Sequence, residues 1–186
     1  DGAVRVMLVR SRILMDASGR AGKILGTNQD VTEMKQAELR IRQLNRIYAV
    51  LSGINKTIVL EKDSQAMLMK ACQIAVEKGG FRMAWVGMHD IAAQKLQPVA
   101  SAGLVDGYLD LINIDLNDKT RRSGPTGTCF ISGHHVTCSD MEHDPLLVPW
   151  REAVLQRGYR SCASFPIKVE GKVIGNINLY SGEVGF

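Results

Sequence analysis

A β-hairpin at the carboxyl-terminal end limits the possible folds of this chain more than any other feature. Residues 160–169 and 172–181 are β-prone and are joined by Glu170-Gly171, a pair that favours a two-residue hairpin turn. Ahead of this hairpin, short β-prone segments are interleaved with short helical ones. The sequence therefore predicts an α+β fold built on one twisted antiparallel sheet.

The elements ahead of the hairpin follow from hydrophobic patterning and from glycine and proline positions. Proline suits the first turn of a helix, so Pro149 is expected in the first turn of its helix, and Gly158 is expected to end it. The predicted helices and strands are a helix at 63–78, strands at 82–89, 96–102 and 112–116, a helix at 125–132, a strand at 135–139 and a helix at 149–157.

A second hairpin is predicted at the amino-terminal end, with strands at 4–15 and 21–29 around a turn at 16–20. A lone hairpin is marginally stable in water, so this one is expected to be part of a larger domain or to pack on something else. Asp30-Val-Thr-Glu33 follows and resembles a capping box. In that arrangement the Asp30 side chain accepts from the Glu33 amide, and Glu33 reaches back to the Asp30 amide.

A long helix is expected over residues 33–58. Its positions 34, 37, 41, 44, 48, 51, 55 and 58 approach a heptad seam with Asn55 as the polar exception. We therefore predict a relay helix that forms a parallel homodimer. The alternative is one amphipathic helix that covers a sheet.

Composition narrows the function classes. The net charge of +4 is modest and the basic residues are scattered, which argues against a nucleic-acid partner. No apolar run approaches the roughly 18 residues of a membrane span. The chain begins with Asp1 rather than Met, so we expect a fragment of a longer protein. A chain of this length does not need disulfide bonds to be stable, so we expect its four cysteines to be reduced thiols and its location to be cytoplasmic.

Cysteine and histidine concentrate in residues 129–138 and raise the question of a metal site. Cys129 and Cys138 are eight residues apart, whereas structural zinc sites usually pair cysteines two to four residues apart. The side chains of His134 and His135 are adjacent in sequence and point in roughly opposite directions in an extended segment. We therefore predict no metal site, and we interpret the cysteines as small buried core residues.

Several short motifs in a fixed order resemble a GAF domain of the kind common in bacterial sensor proteins, over about residues 45–186. These motifs are Phe81–Gly87, Gly124–Gly127, Cys138–Asp140, Pro149–Ala153, Gly158–Ser161, Phe165–Ile167 and Val173–Tyr180. Residues 1–31 resemble the last hairpin of a PAS domain, and Asp30-Val-Thr32 resembles the motif with which PAS domains pass into a signalling helix, here 32–58.

The resemblance implies a sheet of about six antiparallel strands, helices on one face and a ligand pocket on the other. It also implies a sensor or regulatory module rather than an enzyme, with an output module outside this chain in a histidine kinase or a diguanylate cyclase. GAF domains usually continue into a closing helix, and this chain ends before one.

Alternatives on the same fold remain open. Free methionine-(R)-sulfoxide reductase uses cysteines near the equivalent glycine turn, but here Thr126 stands where that family has Cys, and the loop 141–150 has none. The Cys-His pair typical of bilin attachment does not occur, and the cyclic-nucleotide pattern is incomplete. Haem at His89, His134, His135 or His143 is possible, although a His at a turn is more often solvated. No cofactor is evident, and the ligand-free dimerisation spacer is the strongest rival.

The candidate pocket follows from the last strand. Alternation places Ile174, Asn176, Asn178 and Tyr180 on one face, a mixed surface suited to a ligand, and Val173, Gly175, Ile177 and Leu179 on the core face. Arg151 and Asp140 could fix a polar ligand by charge-assisted hydrogen bonds. Across from the mixed face, the GAF resemblance is expected to place the other candidate residues, which are Trp85, Asp140, Trp150, Arg151, Tyr159 and Ser161.

Overall fold

The computed structural model describes residues 4–15, 18–38, 40–41, 45, 52 and 63–185. The chain divides into two compact units, residues 1–45 and residues 46–186. Residues 32–38 and 40–41 are helical, as are 45 and 52, but most of the predicted relay helix at 33–58 lies outside the described residues. None of the helices in the described part is both long and apolar enough to cross a membrane.

The first unit contains the predicted amino-terminal hairpin. Strand β1 (Met7–Met15) pairs antiparallel with β2 (Ala21–Asp30). Both strands are exposed on both faces, so apolar residues such as Val9 and Ile24 are solvated in this unit.

Asp30 links the hairpin to the helix that follows, but not through a capping box. Its Oδ1 accepts from the amide of Thr32 at 3.0 Å and from the Thr32 hydroxyl at 2.6 Å, and its Oδ2 lies 3.2 Å from Nη1 of Arg5. The predicted bond from the Glu33 amide is wrong, because the Thr32 hydroxyl and amide are nearer in sequence and form an Asx turn. Hydrogen bonds from Thr32, and then Arg5, lower the pKa of Asp30.

The second unit is a six-stranded antiparallel sheet in the order β5-β4-β3-β8-β7-β6, which confirms the predicted α+β class. The strands are β3 (Met83–Asp90), β4 (Lys95–Gly103), β5 (Ile114–Asp115), β6 (Val136–Cys138), β7 (Ser161–Val169) and β8 (Lys172–Ser181). The helices are α1 (Ser64–Glu77), α2 (Tyr108–Leu111), α3 (Pro125–Ser132), a 3-10 helix (Pro145–Trp150) and α4 (Arg151–Gln156).

The predicted hairpin at the carboxyl-terminal end is confirmed. Its turn residues Glu170 and Gly171 have φ values of 49° and 79°. Positive φ at both central residues is what a type I′ turn requires, and its twist matches that of the flanking strands.

The two faces of the central strands pack differently. Ala84, Val86 and Leu179 lie in one core with Cys72 and Ala75 of α1. The alternate residues of the same strands face a second core that contains the aromatic residues and the connections between strands.

Three connections differ from the sequence prediction. The helix expected at 149–157 begins earlier, as a 3-10 helix at Pro145, because the Asp144 side chain caps the amide of Leu146 at 2.8 Å. Pro149 therefore lies inside that 3-10 helix. The strand expected at 112–116 shortens to two residues, and α2 precedes it without a sequence signal.

Candidate functional site

A buried polar network joins β8 to α3. Asn178 Oδ1 accepts from the Thr126 hydroxyl at 2.9 Å and from the Ser164 hydroxyl at 2.7 Å. Asn176 Nδ2 donates to the carbonyl oxygen of Thr126 at 2.8 Å. All four residues are at most 6% exposed, so these bonds form in a low-dielectric interior. The two asparagines therefore fix the first turn of α3 against the sheet.

The next residue on this face, Tyr180, belongs to a cluster of three tyrosines. Its ring centroid lies 5.7 Å from that of Tyr108 and 5.0 Å from that of Tyr159, in tilted or edge-on arrangements that aromatic rings prefer. The hydroxyls of Tyr108 and Tyr180 are 3.5 Å apart. Burial raises the pKa of both phenols, so both keep their protons at neutral pH and can donate hydrogen bonds.

A small cavity separates Tyr108 and Tyr180 from α3. Its volume is about 20 Å³, which is room for about one water molecule. The lining residues are Tyr108, Ile114, Arg121, Gly124, Pro125, Thr126, Gly127, Leu147, Trp150, Cys162 and Tyr180. We call this space the α3 chamber.

Trp150 forms one wall of the chamber. A Cβ on Gly124 would lie only 2.7 Å from ring carbon Cζ3 of Trp150, so the indole packs directly on the backbone ahead of α3. Only glycine at 124 permits this approach. The half-buried indole therefore fills space next to the chamber that a ligand would need.

Of the residues predicted for the site, Trp150 lines the chamber, and Asn176 and Asn178 hold the helix that forms its far side. Trp85 is fully buried in the same core, but it lies on the sheet itself, paired in register with Asn178, and not across from it as expected. The reason is that β3 and β8 are neighbours, so residues in register share a face.

Asp140 does not line the chamber. Its Oδ1 accepts from the amide of Glu142 at 3.0 Å, and its Oδ2 lies 2.8 Å from Nδ1 of His143, with both side chains well exposed. The His143 hydrogen bond lowers the pKa of Asp140, and the Asp140 carboxylate raises that of His143. Asp140 therefore caps a surface turn.

Tyr159, Ser161 and Arg151 also serve connections rather than the chamber wall. The Tyr159 hydroxyl donates to the Leu104 carbonyl, and the Ser161 hydroxyl donates to the carbonyl of Glu183 at 2.7 Å. Arg151 Nη2 donates to the Asp144 carbonyl at 3.1 Å, whereas its buried Nε has no partner within the described residues.

Sequence reasoning missed Tyr108 and Thr126 as site residues. Tyr108 is contributed by the single turn α2, which begins after Gly107 at a φ of 67° and has no periodic pattern long enough to recognise. Thr126 stands in the recognised Gly124–Gly127 turn, and its hydroxyl group was the signal that the sequence offered.

The four cysteines are free and buried, which confirms their interpretation as core residues. Cys138 and Cys162 face each other across β6 and β7. Burial raises the pKa of Cys129 to about 11 and that of Cys72 to about 11, so neither thiol is a ready nucleophile. Within the described residues, no three His, Cys, Asp or Glu side chains form a group suited to a metal ion.

A comparison against protein-family models gives the family of this chain. The GAF domain model matches residues 61–186. The chain therefore belongs to the GAF domain family, whose members are commonly signalling or regulatory modules.

Solved structures show the same fold at low sequence identity. The nlh2 GAF domain of A. aeolicus, in an inactive state, is 17% identical with a TM-score of 0.58, over 77% of this chain and 81% of that one. The GAF domain of a phosphoenolpyruvate-protein phosphotransferase from Coxiella burnetii is 13% identical with a TM-score of 0.61, over 76% and 80%.

An enzyme shares the fold as well. Free methionine-R-sulfoxide reductase from Neisseria meningitidis, in complex with its substrate, is 17% identical with a TM-score of 0.61, over 77% of each chain. A search of curated protein sequences finds no significant match. Because likeness at this identity concerns the fold alone, function has to be argued from the site.

Proposed function

We propose that this chain is the sensory part of a signal-transduction protein, and that a small molecule binds in the α3 chamber to shift the packing of α3 and the 3-10 helix. The carrying observation is the buried polar face of β8, where Asn176 and Asn178 hold the first turn of α3 and Tyr180 lines the cavity beside it. Because a buried polar group is destabilising without a partner, this face ties the position of α3 to the sheet.

The relay would run through the helix at 32–58. In this proposal the residues 1–31 are the last hairpin of a PAS domain, residues 45–186 are the GAF domain, and the helix dimerises to reach an output domain such as a histidine kinase or a diguanylate cyclase in the cytoplasm. Ligand binding changes output only to the extent that the ligand prefers one of two helix packings.

Native mass spectrometry of the purified chain tests the sensor proposal. A mass above that of the polypeptide that is lost on unfolding would support a retained ligand. Light scattering on the same sample tests the dimer, and a monomer at high concentration would contradict the relay.

The ligand-free spacer is the second candidate, and the tight packing of Trp150 on Gly124 favours it. A spacer would be dimeric, and its native mass would equal that of two polypeptides with no added ligand. The two measurements together therefore separate the candidates.

A thiol reductase is the least favoured candidate, because the pKa of Cys129 is raised by burial and Thr126 stands at the turn. No turnover of free methionine sulfoxide with a dithiol reductant is expected. Turnover that a Cys129→Ser variant abolished would overturn the sensor proposal.

A further inference from the structure

Two buried phenols line the α3 chamber and leave one hydroxyl proton without an acceptor among the described residues. Tyr108 and Tyr180 are 2% and 5% exposed, and both line the chamber. When one of their hydroxyls donates to the other across 3.5 Å, the second hydroxyl still has a proton and no acceptor within the described residues.

Trp85 adds a second unmatched donor to this core. The indole lies close enough to Tyr180 to lower the pKa of that phenol somewhat, yet among the described residues Nε1 has no hydrogen bond of good geometry. Unpaired buried donors are rare in folded proteins, and each one lowers stability until an acceptor arrives.

The first turn of α3 contributes further donors at the opposite wall. Gly124 is the N-cap and offers no side chain, and Pro125 has no amide proton. The amides of Thr126 and Gly127 have no intrahelical acceptor, as in any first turn, and both residues are buried at the chamber. The partial positive charge of a helix start favours an anion there.

The charge of the lining residues also favours an anion. Arg121 lies at the chamber, where its Nε is also 3.5 Å from an exposed carboxylate oxygen of Asp118. The described residues that line the chamber include no Asp or Glu. A cationic ligand would therefore meet a guanidinium and no carboxylate among the described lining residues.

The remaining walls are apolar. Ile114 and Leu147 are buried there, and the Trp150 indole closes the space. Because the cavity has room for only about one water molecule, a larger ligand has to take the place of that indole. An aromatic or branched body of similar shape fits such a space.

We propose that the α3 chamber binds a small carboxylate with an aromatic or branched apolar body. The carboxylate would accept from the Tyr108 and Tyr180 hydroxyls and from the α3 amides, and the body would displace Trp150. This inference rests on the proposed function and names the ligand class of the same site.

Three probes of equal size and different charge test the class: benzoate, benzamide and benzylamine. Each is titrated calorimetrically into the whole chain and into a Trp150→Ala variant, in which the removed indole leaves an aromatic-sized space. We expect benzoate to bind tightest, benzamide more weakly and benzylamine weakest, with higher affinity for the variant.

Four substitutions examine the contacts in the Trp150→Ala background. Tyr180→Phe is expected to lower benzoate affinity about tenfold, the effect of one hydrogen bond to a charged group, with a smaller effect on benzamide. Tyr108→Phe is the second variant if the first unfolds. Arg121→Gln should lower benzoate affinity about threefold. Its matched control is Lys172→Gln, which removes an exposed cation at the start of β8.

The outcomes separate this inference from the proposed function. Equal or tighter binding of benzylamine than of benzoate overturns the carboxylate class, whereas the sensor proposal stands. Binding of none of the probes to either chain overturns the inference as well, and the native mass measurement then decides independently whether another ligand is retained. Benzoate binding that Tyr180→Phe and Tyr108→Phe leave unchanged overturns the assigned contacts.

Discussion

Removing the Asn178 side chain tests whether the polar network attaches α3 to the sheet. Asn178→Ala deletes the acceptor of two buried hydroxyls, those of Thr126 and Ser164. A buried donor left without a partner costs about 1–2 kcal/mol, so the two together predict a loss of about 2–4 kcal/mol in the free energy of unfolding. That is a large fraction of the stability of a typical domain.

Urea unfolding followed by tryptophan fluorescence measures this loss, because both tryptophans of the chain, Trp85 and Trp150, lie in the second unit, which contains the six-stranded sheet. The midpoint should fall and the slope should stay unchanged. Asn113→Ala, at an exposed position before β5, is the matched control and should change stability by less than about 0.5 kcal/mol.

A double-mutant cycle makes the test specific to the network. Thr126→Val removes the hydroxyl that Asn178 accepts, so the combined loss should be smaller than the sum of the single losses. Strictly additive effects, or a loss for Asn178→Ala no larger than for the control, would refute the assignment of this network as the attachment of α3.

Three further predictions concern other parts of the sheet unit. Gly127→Ala should lower the free energy of unfolding by about 1–3 kcal/mol in a thermal melt, because its Cβ would collide with the backbone carbonyl oxygen of Arg122. Gly182→Ala is the control and should be tolerated, because the nearest atom to its Cβ would be 3.4 Å away. The pKa of His143 followed by NMR should fall towards its usual value in Asp140→Asn, since the Asp140 carboxylate raises it. The pair is charged above the lowered pKa of Asp140 and below the raised pKa of His143, so its contribution fades outside that window, and an unchanged His143 titration would contradict the pairing. The cysteines should react with a thiol reagent at neutral pH only after unfolding, and rapid labelling of the native chain would contradict their burial.

Elements defined by local signals were predictable from the sequence. Gly124-Pro125 placed the start of α3 correctly, because proline suits the first helical position and its missing amide costs nothing there. Glu170-Gly171 determined the turn and the pairing of β7 and β8 next to it, up to the register shift between Ile167 and Lys168. The period of two along β8 then separated Asn176, Asn178 and Tyr180 from the core face.

The sites that depend on distant segments were not predictable in the same way. The GAF resemblance predicted Asp140 in the pocket, but its carboxylate is satisfied by Glu142 and His143 within the next turn. Tyr108 gave no signal, since a single helical turn has no period. The paths of the loops over the sheet decide which candidate site residues come together, and no local sequence pattern encodes those paths.

The sequence alone determined the antiparallel α+β class, the two hairpins and the polar face of the last strand, because each follows from residues a few positions apart. Only the tertiary structure decided that the Thr126 hydroxyl completes the asparagine network and that Trp150 packs on Gly124 beside the tyrosines. Those contacts join residues far apart in the chain, and they exist because burial forces each polar group to find a partner and each cavity to be filled.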